Sequence, residues 1–478
     1  MFDVAIIGGG PAGSTAARLL AQWGHSVAIL NAPKRPGHSL AECLPPSTFK
    51  LFQFLGIQDA IDGAGFFRTT GNTVWWGRNR RRVEPYPTGW GYQVVRSEFD
   101  RLLLELAASA GAHVHSVRAH AVRGPTALRI EVESGAKRTP FPARFLVDCS
   151  GRATVLGRLF HVKQNSLKTV ALCGVWRNER GWKLPDFSHT LVEAYTDGWA
   201  WSVPVSPCIR HVAFMVDPAA SRMSRGKGLS AAYLAELAKT RAFRRIFSRG
   251  RLESAPWGRD ASLYTSRRFC GPGFLLCGDA GAFIDPLSSF GVKKAMASAW
   301  VGAVVANTWL KKPAMRQTAL QFFEDREREL ANGYLKQATA WFREASGRFA
   351  SPFWALRSEE PPISEPPGAG DGRLEALEQL RRRTSIQLRR ADGVRIEPRP
   401  GIAGREIVMR GVLVTPGGDA LDFLANVNLA RLVELAERHS QIPALFEAYN
   451  RTEPPVSLPD FLKALASLAA RRILIDTG

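Results

Sequence analysis

Gly8-Gly9-Gly10-Pro11-Ala12-Gly13 satisfies GxGxxG between an apolar strand, Phe2 to Ile7, and a helical pattern, Ser14 to Gly24. Glycines so placed permit a tight turn and let backbone N–H groups and a helix N-terminus approach a pyrophosphate. Gly8, Gly10, Ala12 and Gly13 are therefore candidate dinucleotide-binding positions. A second strand, Val27 to Leu30, ends at Asn31, where an acid ordinarily meets the ribose; an amide can still hydrogen-bond a hydroxyl. His113, His115 and His120 alternate without a carboxylate or thiolate at ligand spacing, so they read as ordinary strand and surface histidines. The six cysteines lack CxxC spacing, and neither a metal site nor a disulfide frame is expected.

The elements that must position these residues follow from the pattern of the chain. Apolar strands alternate with helices through Leu146-Val147-Asp148 and Phe274-Leu275-Leu276, as in a parallel sheet covered on both faces. Between them, Thr73 to Gly77 and Gly198 to Val205 alternate and are rich in aromatics, which suits a second, antiparallel sheet. Helices are expected at Gly291 to Leu310 and Gln317 to Arg348, followed by a Pro/Gly-rich linker. The expected boundaries are a main domain over 1–358, a linker over 359–372 and a small C-terminal domain over 373–478. Within the main domain, 1–65, 94–165 and 265–310 form the nucleotide part, 66–93 and 166–264 the second sheet, and 311–358 the helices. The C-terminal unit reads as helix (Leu374 to Arg383), two strands (Val394 to Glu397, Ile407 to Val414), helix (Leu429 to His439) and a terminal helix begun at Ser457.

With 45% hydrophobic and 22% charged residues among 478, composition excludes disorder and collagen-like repetition. No run reaches the roughly 18 uncharged apolar residues of a membrane helix, and no basic region with a cleavage site precedes the first strand. The expectation is a cytoplasmic protein with no membrane span. The net charge of +21 points to a partner of negative charge.

Val95-Arg96-Ser97-Glu98-Phe99-Asp100-Arg101-Leu102-Leu103, Val147-Asp148-Cys149-Ser150-Gly151-Arg152 and Cys277-Gly278-Asp279-Ala280 stand in an order that resembles the flavoprotein monooxygenases. The resemblance spans roughly residues 1 to 350. It implies an α/β fold with a Rossmann-like FAD-binding domain of the p-hydroxybenzoate hydroxylase and halogenase type, an antiparallel substrate sheet and an α+β C-terminal unit. It also implies noncovalent FAD with O₂ as co-substrate; Arg96 would pack along the FAD and Asp279 bind its ribitol, while the backbone after Pro286, with Gly291 and Val292, approaches the isoalloxazine.

Three segments resemble the flavin-dependent halogenases in particular. Trp199-Ala200-Trp201-Ser202-Val203-Pro204 is similar to their WxWxIP signature, Ala41-Glu42-Cys43-Leu44-Pro45-Pro46 to their GES-L-P segment, and Asp285 to Val292 to their flavin-edge loop. Glu42 and Cys43 thereby join the cofactor-binding candidates, and Trp199 and Trp201 the pocket candidates, although two tryptophans at i and i+2 of a strand also suit a sheet core. The essential halogenase lysine belongs in a segment resembling Phe66 to Gly77, where alignment by eye places Thr69, and no residue from Gly65 to Gly77 supplies an amine. Ser288 stands where tryptophan halogenases carry a glutamate. Ser150-Gly151-Arg152 replaces the Asp-Gly motif of hydroxylases that bind NAD(P)H, so reduced flavin from a separate reductase or another route stays open.

A halogenase scaffold without its lysine resembles the halogenase-like monooxygenases that mature tryptophylquinone cofactors. These hydroxylate a tryptophan of a partner polypeptide through a flavin C4a-hydroperoxide. The resemblance implies an acidic protein or peptide substrate, which the basic charge would steer. Alternatives are a halogenase acting on a carrier-bound pyrrole or phenol, a geranylgeranyl-reductase-type flavoenzyme sharing the Ser-Gly-Arg and Gly-Asp-Ala segments, and a non-catalytic or nucleic-acid-binding protein. The last would use the basic runs Arg78-Asn79-Arg80-Arg81-Arg82 and Arg241-Ala242-Phe243-Arg244-Arg245; with no nucleic-acid fold signature beside them, these read as solvated faces and no nucleic acid is expected. Residues 373–478 carry only +3 of the +21. Their apolar stripes, Leu429 to Ala436 and Phe461 to Ile473, are expected either to dock the partner or to pack onto the flavin domain.

Overall fold

The computed structural model describes residues 1–33, 39–77, 81–87, 89–123, 128–135, 137–163, 167–221, 228–359 and 387–477. The expected linker beyond Glu359, the helix Leu374 to Arg383 and residues 78–80 of the first basic run lie outside them. The chain divides into two compact units, Met1–Pro361 and Pro362–Gly478. Among the described residues no helix is long and apolar enough to cross a membrane.

In the first unit a six-stranded sheet runs in the order Cys270–Gly271, Phe274–Leu276, Ala143–Asp148, Phe2–Ile7, Val27–Leu30, His113–His115. Its pairings are parallel except at the Cys270–Gly271 edge. Val4 to Ile7 and Val27 to Leu30 are buried without a break, because both faces of the sheet are covered there. The helices Pro11–Gln22 and Gly291–Lys311 bury long apolar stripes. Ala119 and Ile130, from a sheet of Arg118–Arg123, Leu128–Ser134 and Lys137–Pro140, join the core formed by Ala5, Ile7, Leu146 and Leu276.

The second sheet has eight strands. Its path is Arg251–Leu252, Val170–Arg177, Ile209–Val216, Gly198–Pro204, Thr190–Tyr195, Gly71–Trp75, Arg82–Pro85, with Trp257–Asp260 also on Val170–Arg177. It differs from the antiparallel expectation at one junction: Thr190–Tyr195 pairs in parallel with Gly71–Trp75. More than a hundred residues separate these two strands, so a long crossover replaces the hairpin that an antiparallel pair could use. The register places Val74, Val192, Trp201, Ala213 and Cys173 on one face, and Trp75, Glu193, Ala200 and Phe214 on the other.

The second unit is a hairpin, Arg395–Ala403 with Glu406–Val414, extended by Ala420–Leu421 and accompanied by helices Leu429–Ala436, Ile442–Thr452 and Leu458–Ala470. The middle helix was not among the expected elements. Ser457 opens the last one by accepting from Asp460 N at 3.3 Å, and its hydroxyl donates to the Asp460 carboxylate at 2.8 Å. Both apolar stripes require a correction. Leu429, Leu432, Val433, Leu435 and Ala436 meet Phe461, Ala464, Leu465 and Leu468 in a core built wholly from residues of this unit, so neither stripe is left over for a partner or for the flavin domain.

Candidate cofactor and active site

The helix Pro11–Gln22 begins with proline at its first position and has no side-chain cap, which leaves the amides of its first turn without carbonyl partners. The glycine turn delivers the chain into that helix. Gly8 holds φ at +98°, and a Cβ there would come within 2.6 Å of the Cys149 carbonyl oxygen; one at Gly13 would come within 1.8 Å of the Gly8 carbonyl oxygen. Gly10 is different: a Cβ meets nothing within 4 Å, because the residue opens onto a cavity of about 830 Å³. Asn31 closes the turn, its side-chain oxygen accepting from Gly9 N at 3.2 Å.

The cavity brings together Gly8, Gly10, Ala12, Asn31, Glu42, Cys43, Arg96, Asp279, Pro286, Gly291, Val292 and Trp201, drawn from segments scattered between residues 8 and 292. Arg96 opens the helix Arg96–Ser109 and is pinned twice, to Glu42 at 2.5 Å and to Asp100 at 3.0 Å. Burial alone would lower its pKa, but the two carboxylates more than offset this and raise it, so the guanidinium stays charged. The Cys43 sulfur lies 3.3 Å from the Tyr86 hydroxyl, and burial pushes its thiol pKa up, which keeps it protonated and inert. Asp279 pairs with Lys294 at 3.0 Å, and its carbonyl accepts from Tyr264 Oη at 2.6 Å.

Several residues at or beside the cavity were not singled out as candidates in the sequence. Lys294 is buried in the first turn of Gly291–Lys311, giving its ammonium to Asp279 and to the Ala282 carbonyl, whereas a lysine in a helical pattern normally suggests an exposed face. Asp285 is a buried carboxyl on the cavity wall; it accepts from Leu287 N at 2.9 Å, and burial pushes its pKa up to about 6. Its signal was the Asp-Pro start of the flavin-edge loop. Arg152 lies over the Phe283 ring at 3.9 Å, also on the cavity.

Four positions named from the sequence do not line this cavity. Gly13 packs against the glycine turn instead. Thr69 lies in the short strand Phe67–Thr69, buried, with its hydroxyl donated to the Gly71 carbonyl at 3.2 Å. Trp199 is core, edge-on to Trp76 at 6.4 Å. Ser288 serves its own turn, its hydroxyl accepting from Phe290 N at 3.2 Å. Of the tryptophan pair only Trp201 reaches the cavity, and its indole N–H is buried without a partner among the described residues. Among the described residues the cations lining the cavity are all arginines: Arg96, Arg118, Arg152, Arg158 and Arg259. Arg68, the basic residue of the Gly65 to Gly77 segment, is exposed and stacks over Trp90 at 4.5 Å.

A long cavity running from an uncapped helix N-terminus past a fixed arginine to an unpaired indole N–H fits an extended dinucleotide cofactor. The comparisons agree. The model of the FAD binding domain family matches residues 1–303. Among curated proteins, Tryptophan 2-halogenase of Chondromyces crocatus is 28% identical over 74% of this chain and 70% of its own length. Flavin-dependent halogenase armH4 of Armillaria mellea is 30% identical over 67% of this chain and 68% of its own. Among solved structures, the flavin-dependent halogenase CmlS matches with a TM-score of 0.78 and 22% identity over 99% of this chain and 95% of that one. The peptidyl tryptophan dihydroxylase QhpG, described as essential for tryptophylquinone cofactor biogenesis, matches at 0.70 and 22% over 98% and 99%. The chain spans about two thirds of the curated relatives' length, and the two structural matches are likenesses of fold. The chain belongs to the FAD-binding family of flavin-dependent halogenases and monooxygenases, and it is an oxidoreductase whose cofactor is FAD.

Proposed function

We propose that the protein is an FAD-dependent monooxygenase that hydroxylates an electron-rich aromatic side chain, a tryptophan of an acidic partner polypeptide, during biogenesis of a tryptophylquinone cofactor. The observation that carries this is the missing amine. The Phe66 to Gly77 segment has no lysine, Thr69 spends its hydroxyl on a backbone carbonyl, and no lysine lines the cavity among the described residues. The QhpG likeness, which extends over nearly the whole of both chains, supports the polypeptide substrate.

In this reading the Gly8 to Gly10 amides and the start of Pro11–Gln22 hold the pyrophosphate, Arg96 packs along the cofactor, and Asp279, anchored by Lys294, takes a ribityl hydroxyl. The loop from Asp285 to Val292 borders the flavin ring, and Trp201 bounds the space for the acceptor. FAD, when bound and reduced, supplies the electrons that activate O₂. Glu42, Asp100, Asp260 and Asp279 form ion pairs, whereas Asp285 accepts from one backbone N–H and feels the Arg357 charge without an ion pair among the described residues. That leaves it the cavity carboxylate able to accept the proton that an aromatic carbon releases on hydroxylation.

The test is intact mass of an acidic, tryptophan-containing polypeptide after aerobic incubation with the protein, FAD, a flavin reductase with its nicotinamide donor, and bromide. A gain of oxygen is expected. A gain of bromine would overturn the reading and establish the second one, a halogenase, which the curated relatives favour.

A further inference from the structure

The face of the eight-stranded sheet turned away from the FAD cavity carries a second cavity, of about 660 Å³. Thr73, Trp75 and Glu193 line it, on the side opposite Val192 and Trp201 by strand alternation. Its walls gather six cations from four separate stretches of chain: Arg81, Lys183, Arg241, Arg245, Arg249 and Arg348. All six residues are exposed, and among the described residues none forms an ion pair; Arg348 donates only to the Gly77 carbonyl, at 3.2 Å. The two basic runs that read as solvated faces thus supply three of these cations, Arg81, Arg241 and Arg245, to a concave site.

Two carboxylates share the groove, and both are already committed. Glu193 accepts from the backbone N–H groups of Arg241, Ala242 and Phe243 at 2.7, 2.9 and 2.8 Å. Asp186 accepts from Thr70 Oγ1 at 2.6 Å and Ser188 N at 2.8 Å, and lies 3.2 Å from His189 Nε2. Neither neutralises a groove cation. Like charges gathered in one concavity repel until a ligand balances them, and low-dielectric walls strengthen the field there. Trp75, Leu184, Pro185 and Ile246 add apolar surface to the same lining.

We infer that this groove is an exosite that docks an acidic polypeptide segment in which carboxylates alternate with apolar side chains. The inference rests on the polypeptide-substrate reading and adds where that substrate is held. The combination of cations and apolar residues in one lining matches such a peptide, whereas a continuous phosphate chain would meet the Glu193 and Asp186 carboxylates. Because the groove faces away from the FAD cavity, it binds without touching the reacting atoms, and its loss acts on KM and not on kcat.

The probe is a fluorescein-labelled synthetic peptide alternating Glu and Leu around one Trp, read by anisotropy and, with FAD and a flavin reductase, by mass. R241E/R245E/R249E is expected to weaken binding about tenfold or more while keeping bound FAD. K183E, a single change elsewhere on the wall, is expected to weaken it by a smaller factor and provides the readout should the triple variant not fold. K137E/R138E, on the exposed strand Lys137–Pro140, is expected to change nothing. Unchanged affinity and KM in the groove variants, while the peptide is still hydroxylated, would overturn the exosite and leave the hydroxylase standing. Groove-dependent binding without any gain of oxygen would uphold the exosite and count against the hydroxylase. Displacement of the peptide by a single-stranded oligonucleotide at lower concentration than by unlabelled peptide would assign the groove to nucleic acid and overturn the inference.

Discussion

On one face of the eight-stranded sheet, Trp201, Ala213 and Cys173 border a cavity whose carboxylates are matched by cations, Glu42 and Asp100 by Arg96, Asp260 by Arg152 and Asp279 by Lys294. On the other, Trp75 and Glu193 border a groove whose six cations have no ion-pair partner among the described residues. The same alternating strands supply both. The matched side holds its groups in fixed geometry before any ligand arrives, which suits a cofactor that must be placed to a fraction of an ångström. The unmatched side keeps its charge available, which suits a partner that is steered in, bound and released.

The largest expected effect breaks the cofactor side alone. In Gly10→Val the new side chain would enter the cavity exactly where Gly10 now opens onto empty space, in the path of the pyrophosphate. The purified variant should lack the flavin absorbance bands and all activity, whereas Arg241→Glu should keep full flavin occupancy. A yellow Gly10→Val protein that FAD saturates normally would remove the glycine turn from the site.

Arg96→Met comes next. It leaves Glu42 and Asp100 facing each other without their cation, at a cost of about 2–4 kcal/mol in stability, together with weaker FAD binding. Thermal unfolding and flavin titration would measure both. A variant that lost FAD affinity with no change in melting temperature would mean that the pairing serves the ligand and not the fold.

This contrast also explains what could be read from the chain. The cofactor side is written in contiguous segments, Gly8 to Gly13, Val95 to Leu103 and Cys277 to Ala280, because a turn into a helix and a strand end are local structures with local residue demands. Lys294 and Asp285 were missed because their roles come from burial, which a helical pattern or a turn motif does not specify. The groove was illegible for a stronger reason. Arg81, Lys183, Arg241 and Arg348 become neighbours only through a sheet whose parallel junction skips more than a hundred residues. Trp199 and Trp201 mark the limit of period-two reasoning, since they share a face and a core cluster and yet only Trp201 also reaches the cavity wall.

Removing residues after Pro361 should have a modest effect, since the second unit has a core of its own and the clusters bordering both cavities are built from the first. The shortened protein should bind FAD and consume O₂ with reduced flavin at an unchanged rate. Aggregation or a colourless product would show that the flavin unit depends on the second one.

A last pair of changes sets one buried carboxyl from each region against the other. Glu327, on the helix Arg316–Ser346, accepts from Ser298 Oγ at 2.9 Å, but its other oxygen is buried without a partner among the described residues. Burial pushes its pKa up to about 7 against the lowering influence of Ser298, Lys294 and Arg326. Its folded-state pKa therefore exceeds that of the unfolded chain, so its contribution is fully present at acid pH below the unfolded value and is lost as pH rises through about 7. Glu327→Gln should remove that loss: relative to wild type, the variant should gain stability between pH 5 and pH 8, by at most about 3 kcal/mol. Glu193→Gln should do the reverse, because three backbone N–H groups are spent on that carboxylate and a neutral amide oxygen accepts them more weakly, costing about 1–2 kcal/mol at pH 8. Denaturant midpoints at the two pH values measure both changes. If the two variants shift in the same direction at pH 8, the distinction between a burial-strained carboxyl on the cofactor side and a fully satisfied one beneath the groove does not hold.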